Sequence, residues 1–325
     1  MEYLPNFQVH RPGTAEEAVK LRVDNVDARF LAGGTDMIVN VRRGIERPSD
    51  LIDLTHIGEL TEIREEAEGI RVGAAVTLQQ LSDHETVRKS YRAASEAAGS
   101  VAGPTHRAYG TVGGNLCLDT RCLFYNQSEW WRSSNAYCLK HRGEVCHVAP
   151  GGRECFAAYS GDLAPAMLVH EARAGLIGPD GRREIPLADL YRDDGMDHLT
   201  MAPGELLASV LLPKETADIP SGYEKSRVRG AIDFPLAGAA ARLRTRDGVI
   251  EDIRVALTGV RSWPFALTGT EMFVGEVLSD GVLDDLREMA RTQSKPIRTG
   301  TVAPWYRRRV VGALTRRLVA RLAEG

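Results

Sequence analysis

TVGGN at Thr111–Asn115 and SGDLAP at Ser160–Pro165 bracket the stretch on which the reading of this 325-residue chain turns. Between them lie all five cysteines: Cys117, Cys122, Cys138, Cys146 and Cys155. Residues 117–158 show no sustained helix or strand period, yet they carry Phe124, Tyr125, Trp130, Trp131, Tyr137 and Phe156. A structureless loop this long in a compact domain is usually either functional or disordered. Its aromatic content argues against disorder, because disordered segments are poor in such residues. A cross-linking metal site would supply the order that the backbone pattern does not.

Cysteines confined to one segment of a large chain with no secretory pattern read as metal ligands or redox thiols before disulfides. Cys122, Cys138, Cys146 and Cys155 are separated by 15, 7 and 8 residues. Four thiolates can hold a [4Fe–4S] cluster. They can also hold zinc, with His141 or His147 as further ligands, but structural zinc usually shows close C-x2–4-C pairs, which are absent here. Reduced, unliganded thiols are the third reading, and the residues alone leave all three open. Cys117, just past the Gly-Gly-Asn turn, reads as a packed small residue and not as a ligand.

Toward the N-terminus, Thr14 followed three residues later by Glu17 predicts a helix through about Val23. Arg29–Ala32 reads as a short buried strand. Gly33-Gly34-Thr35-Asp36 breaks it, Met37 to Gly44 resumes helical spacing, and Leu51–Leu54 is a second strand. A strand, a glycine turn and a helix suit a phosphate group, since backbone N–H groups can approach it and a helix N-terminus adds positive potential. A tight turn with no ligand explains the same residues. The pattern is not G-x-G-x-x-G, so a nicotinamide site is poorly supported. Ile70 to Thr77 is predicted as a strand, and Leu78–His84 and Thr86–Ala98 as helices. TVGGN then supplies a second Gly-Gly turn, and two such turns suggest one extended diphosphate ligand held by two loops.

Toward the C-terminus, Ala166–Ile177 reads as a strand and Pro179-Asp180-Gly181 as a turn into another. Leu206–Leu212 and Tyr223–Arg229 are further strands, with a polar, turn-like boundary near residues 213–221 between them. Arg246-Asp247-Gly248 marks a hairpin. Helices follow at about Leu283–Thr292 and Trp305–Ala323, the second with a basic face read as solvated. Apolar residues make up 43% and charged residues 26%, an ordinary globular balance. A net charge of −3 implies no general attraction to nucleic acid or anionic membrane. No apolar run approaches the roughly 20 residues of a membrane span, and the N-terminus lacks a signal pattern, so a cytoplasmic protein is expected.

LAGGTD (Leu31–Asp36), TVGGN, GDLAPAMLVHEA (Gly161–Ala172), GELLASVLLP (Gly204–Pro213) and YEKSRVR (Tyr223–Arg229) together resemble the FAD-binding subunits of the molybdenum hydroxylase family, in the family's order and over essentially the whole chain. The resemblance implies an α+β fold. A PCMH-type FAD-binding domain has a small α/β part (1–55) and an α+β middle part (56–217), here carrying the 117–158 loop. A C-terminal α/β domain of the CO dehydrogenase flavoprotein type (218–325) follows. It also implies FAD held by Arg29, Phe30, Leu31, Ala32, Gly33, Gly34, Thr35 and Asp36, and by Thr111, Val112, Gly113, Gly114 and Asn115. Val101 lies just before the second loop, Asp162 is the acidic residue of the site, and Leu207 and Lys225 lie near the flavin ring. A lysine there would favour the reduced, anionic flavin.

In the usual pattern the Gly-Gly-Asn turn leads quickly into the Asp-Leu segment. The intervening cysteine loop resembles that of the flavin subunits of 4-hydroxybenzoyl-CoA reductases, which carry an extra [4Fe–4S] cluster. That implies Cys122, Cys138, Cys146 and Cys155 as ligands and an electron-transfer role with no catalytic residue of its own. His106 and His170 stand alone and read as structural. Ferredoxin would be the electron donor, and the partners a small [2Fe–2S] subunit and a large molybdenum-cofactor subunit, in a dimer of heterotrimers. Two other classes remain: a hydroxylase subunit passing electrons outward to NAD or a quinone, its cysteine loop a zinc staple, and a stand-alone FAD oxidase.

Overall fold

The computed structural model describes residues 4–324, and the N-terminal reading of residues 1–3 lies outside them. Thr14 caps the helix Ala15–Asp24 by accepting from the Glu17 N–H, and the Glu17 carboxylate in turn accepts from the Gly13 N–H. This helix packs on a parallel sheet of β1 (Gln8–His10), β2 (Arg29–Leu31) and β3 (Asp50–Asp53), in the order β1-β3-β2. The second sheet is formed by β4 (Ile63–Glu66), β5 (Gly69–Gly73), β6 (Arg173–Gly178), β7 (Gly181–Pro186) and β8 (Leu206–Pro213), in the order β4-β5-β8-β6-β7. The third contains β9 (Ser221–Ser226), β10 (Ala237–Arg246), β11 (Val249–Thr258) and the two-residue β12 (Phe265–Ala266). Asp247 and Gly248 both have positive φ, as the β10–β11 hairpin turn requires.

β10 shows how the last domain is welded to the rest. Successive strand side chains point to opposite faces. Ala239, Ala241 and Leu243 join Val255 and Leu257 in a core roofed by the helices Asp280–Gln293 and Pro304–Ala323. Ala240, Ala256 and Tyr223 belong instead to the central core, with Ala93, Ala94, Ala97 and Ala98 of the helix Arg92–Ser100. Both faces of the strand are therefore buried, which accounts for its run of small apolar residues.

Three elements differ from expectation. The strand predicted from Ile70 to Thr77 ends at Gly73, because Ala74 and Ala75 donate to Ala208 and Leu60 and Thr77 opens a helix with a reciprocal cap to Gln80. The predicted helix Thr86–Ala98 is two helices, Glu85–Ser90 and Arg92–Ser100, broken at Tyr91, whose hydroxyl drops into the core and donates to Leu212 O and Pro213 O. Of the strand expected over Ala166–Ile177, Arg173–Ile177 forms as β6, but the first residues belong to the helix Leu163–Val169. All seven of its residues are buried, so it has no polar face from which a 3.6-residue period could be read. The C-terminal basic face is not simply solvated. Arg316 pairs with Asp280 and Asp284, Arg317 with Glu224, and Arg321 with Glu96. Among the described residues no helix is long and apolar enough to cross a membrane.

Candidate functional site

β2 runs into the turn Ala32–Asp36, and the helix Met37–Arg42 starts directly behind it. Only glycine fits at position 33, where an added Cβ would lie 1.7 Å from Tyr109 O, and Gly34 has φ +70°. The first contact shows that the turn touches the approach to the second loop. Among the described residues, the backbone N–H groups of Gly33, Gly34, Thr35 and Asp36 donate to no protein acceptor. In the second loop the glycines are not in an open turn as expected. Thr111 caps the short helix Val112–Leu116 by accepting from the Gly114 N–H at 3.1 Å.

The two loops border one cavity of ≈ 480 Å³, a size ordinary for a cofactor site. Arg29, Phe30, Ala32, Gly33, Gly34, Thr35, Asp36, Val101, Thr111, Gly113, Gly114, Asn115 and Leu207 all line it. Leu31 and Val112 do not: Leu31 is held in the strand, and Val112 is fully buried in the central core. Four adjacent unpaired N–H groups beside an otherwise apolar cavity suit a diphosphate joined to flat rings, since buried donors otherwise require partners.

Asp162 and Lys225 lie behind the residues that line this cavity. They form a buried ion pair at 3.0 Å, with side-chain exposures of 3% and 5%, and the Tyr223 hydroxyl donates to Asp162 Oδ1 at 2.6 Å. Burial pushes the Asp162 carboxyl up, opposed by the Lys225 charge and the Tyr223 bond. The trio ties the helix after the cysteine segment to β9. Asn115 closes the other side: its Oδ1 accepts from the Leu163 N–H at 2.9 Å. The chain thus leaves the second loop and returns beside it, with Arg121 and Ala158 exchanging backbone hydrogen bonds of 2.7 and 2.8 Å across the neck.

Beyond that neck only one short helix forms, Glu129–Ser134. Buried cations hold the remainder. Arg132 reaches Gln127 O at 2.7 Å, Gly44 O at 2.9 Å and Glu129 Oε2 at 2.6 Å. Lys140 Nζ donates to Asp119, Thr120 and Gly195 O at 2.6–2.7 Å. Cys138, Cys146 and Cys155 are buried and Cys122 is half-buried. Burial pushes the Cys122 thiol up to about 11, with smaller contributions from Cys155 and Cys138, and Cys155 is raised in the same way with contributions from Cys146 and Cys138. Cys122 packs against the cluster of Ile45, Tyr125 and Cys138. Cys117 stands apart on the cavity wall, its thiol raised to about 12 by burial alone. No three of the described His, Cys, Asp or Glu side chains lie close enough to share a single ion. His147 Nε2 contacts Tyr137 O, and His141 Nε2 is buried without a partner.

Sequence reading missed several cavity neighbours. Ala74 and Ala75 enter the wall because β5 ends early, and Phe234 arrives from a loop beyond β9. His106 lines the cavity with Nδ1 unpartnered. Arg121 pairs with Asp36 across 85 positions of sequence. No local pattern marks such long-range partners.

Comparison with known proteins agrees with this geometry. Residues 5–215 match the FAD binding domain in molybdopterin dehydrogenase, and residues 221–322 match the CO dehydrogenase flavoprotein C-terminal domain. The aldehyde oxidoreductase FAD-binding subunit PaoB of Escherichia coli K12 is 34% identical over 82% of this chain and 85% of its own length. The carbon monoxide dehydrogenase medium chain of Afipia carboxidovorans is 28% identical over 97% of this chain and 96% of its own. A chain of the cyanide-inactivated Cu,Mo-CO dehydrogenase crystal structure is similar with a TM-score of 0.81 at 27% identity, covering 99% of this chain and 100% of that one. Glycine cradle, sheet order and both matched domains lead to one conclusion: the chain belongs to the FAD-binding subunits of the molybdopterin-dehydrogenase, or molybdenum hydroxylase, family.

Proposed function

We propose that this chain is the FAD- and [4Fe–4S]-carrying electron-transfer subunit of a molybdenum-containing reductase that dehydroxylates 4-hydroxybenzoyl-CoA to benzoyl-CoA in the cytoplasm. The observation that carries the reading is the confinement of Cys122, Cys138, Cys146 and Cys155 to one ordered segment in which Cys122 packs against Cys138 and Tyr125. Zinc with bonds of about 2.3 Å would draw its thiolates to within roughly 3.8 Å of one another. A cubane interposes iron and sulfide between its ligands and tolerates wider spacing. Bound FAD exchanges electrons singly or in pairs, whereas a cluster exchanges one at a time.

The chain's own part is to bind and orient these groups. The Gly33–Asp36 turn and the Thr111–Asn115 loop would hold the flavin diphosphate, with Phe30, Val101 and Leu207 along the apolar wall. Asp162, Lys225 and Tyr223 brace the scaffold behind it. Segments 1–55, 56–217 and 218–325 would be the folding units. A large molybdenum-cofactor subunit and a small [2Fe–2S] subunit would complete a heterotrimer, dimerised, with ferredoxin as donor.

Anaerobic purification with iron, zinc, sulfide and flavin assays tests this. About four iron and four sulfide per flavin are expected. Zinc without sulfide would make the loop a structural clip and the chain a hydroxylase subunit delivering electrons outward. Reduced ferredoxin should then drive loss of 4-hydroxybenzoyl-CoA by the assembled enzyme, and no turnover with a fully loaded enzyme would refute the substrate and donor assignment.

A further inference from the structure

Asp36 sits where an anionic ligand should meet resistance. It ends the run of four unpaired N–H groups and lines the cavity, so its carboxylate repels any diphosphate bound there. It does not spend that charge as a helix cap, since it heads the helix Met37–Arg42 without a side-chain capping bond. Asn40 Nδ2 donates to one oxygen at 2.9 Å, and the Arg121 guanidinium pairs with the other.

Arg121 is delivered from the cysteine segment. It directly precedes Cys122, and its backbone is locked to Ala158 at the neck of that segment. Its side chain is 14% exposed, its guanidinium carbon lies 4.8 Å from the centroid of the Phe234 ring on the cavity wall, and its Nε is buried without a partner. A cation so fully enclosed keeps its position only while the segment around it is ordered.

We propose that Arg121 is a positioning residue that neutralises Asp36, so that the Gly33–Asp36 turn accepts the flavin diphosphate, and that it thereby couples FAD affinity to the order of the cysteine segment. This rests on reading the cavity as the flavin site and the four cysteines as cluster ligands. Opposite charge favours the ionised carboxylate and cancels its field at short range. With Arg121 withdrawn, that field acts on the ligand. By reciprocity, flavin also steadies the cysteine segment.

The test is FAD titration of flavin-depleted protein, purified anaerobically with its partners, followed by flavin fluorescence and by iron and sulfide content. Arg121→Met should weaken FAD binding on the order of ten- to a hundredfold, measured on protein that still holds its iron and sulfide. Asp36→Asn in the same chain should restore most of the loss, a reversal that simple damage to the fold would not produce. Unaltered affinity in Arg121→Met, or no recovery in the double variant, overturns the proposal. If Arg121→Met does not fold, Asp36→Asn alone decides: FAD should bind at least as tightly as to the native chain, and weaker binding overturns it. Cys138→Ser should loosen FAD in the native background but not in Asp36→Asn/Arg121→Met; equal loosening in both removes the coupling. Thr35→Phe, which fills the cavity from an exposed position, separates the premises, because unchanged binding there means that FAD lies elsewhere.

Discussion

The glycine-lined cradle and the cysteine segment lie side by side and keep their order by different means. The cradle is held by backbone: β2 pairs with β3, Gly113 donates to Ala74 O, and Leu78 donates to Gly110 O, all above continuous cores. The cysteine segment has one six-residue helix and a scatter of single bridges. Its fixed points are long cationic side chains bonded to carboxylate and main-chain oxygens. Arg121 and Arg132 grip opposite ends of the helix Met37–Arg42, at Asp36 and at Gly44. The second grip also suits a cation near C-terminal carbonyls. Burial of the backbone in sheets distributes the load over many weak contacts, whereas buried ions concentrate it in a few residues. The two regions should therefore fail differently.

Arg132→Met should produce the largest effect. It leaves the Gly44 and Gln127 carbonyls and the Glu129 carboxylate without a buried partner that is only 1% exposed. Leaving a buried carbonyl without its donor costs about 1–3 kcal/mol, and two are left here. Proteolysis and iron content should report collapse confined to the cysteine segment; loss of the entire fold would mean that the two regions are not separable. Gly33→Ala attacks the cradle instead. The new methyl group meets Tyr109 O at 1.7 Å and forces the loops apart. Destabilisation of about 1–3 kcal/mol is expected, with loss of bound flavin but retention of iron. Iron lost in parallel with flavin would erase the contrast.

Acid should produce the effect shared most evenly between the two regions, because it acts on the scaffold beneath both. His170 is fully buried, accepts or donates at Ser221 Oγ, and is lowered by burial, and then by the Arg242 charge, to about 3. His198 is lowered by burial to about 4. Both stay neutral in the fold, while the unfolded chain protonates them below about 6.5. Their contribution is therefore fully present above pH 6.5 and is lost as pH falls toward 4 and 3. Each should contribute a slope of about 1.4 kcal/mol per pH unit over that window. Denaturation midpoints measured from pH 7 to 5 check this, and His170→Gln should flatten the slope.

What was legible follows the same divide. The cradle could be read because its parts are local: a capped helix, Gly-Gly turns and short apolar strands repeat signals that neighbouring residues create. Arg173–Ile177 is strand as its pattern suggests, but Ala166–Val169 is helix, where burial on every side erases periodicity. The resemblance places Asp162 and Lys225 near the flavin, but only the structure shows that they pair with each other and with Tyr223, since a buried charge requires a partner. The cysteines could be noticed from their confinement but not placed by it.

By itself, the sequence determined the glycine-lined turns, the amphipathic C-terminal helices, the hairpin at Asp247-Gly248 and the presence of one cysteine-rich interruption. Each depends on φ/ψ preferences or on periodicity within a few residues. Only the tertiary structure decided that both turns border one cavity, that Cys117 belongs to its wall while Cys122 packs against Cys138 elsewhere, and that Arg121 meets Asp36 from 85 positions away. Those relations depend on how three sheets stack and on where buried charges find partners, and no local preference encodes either.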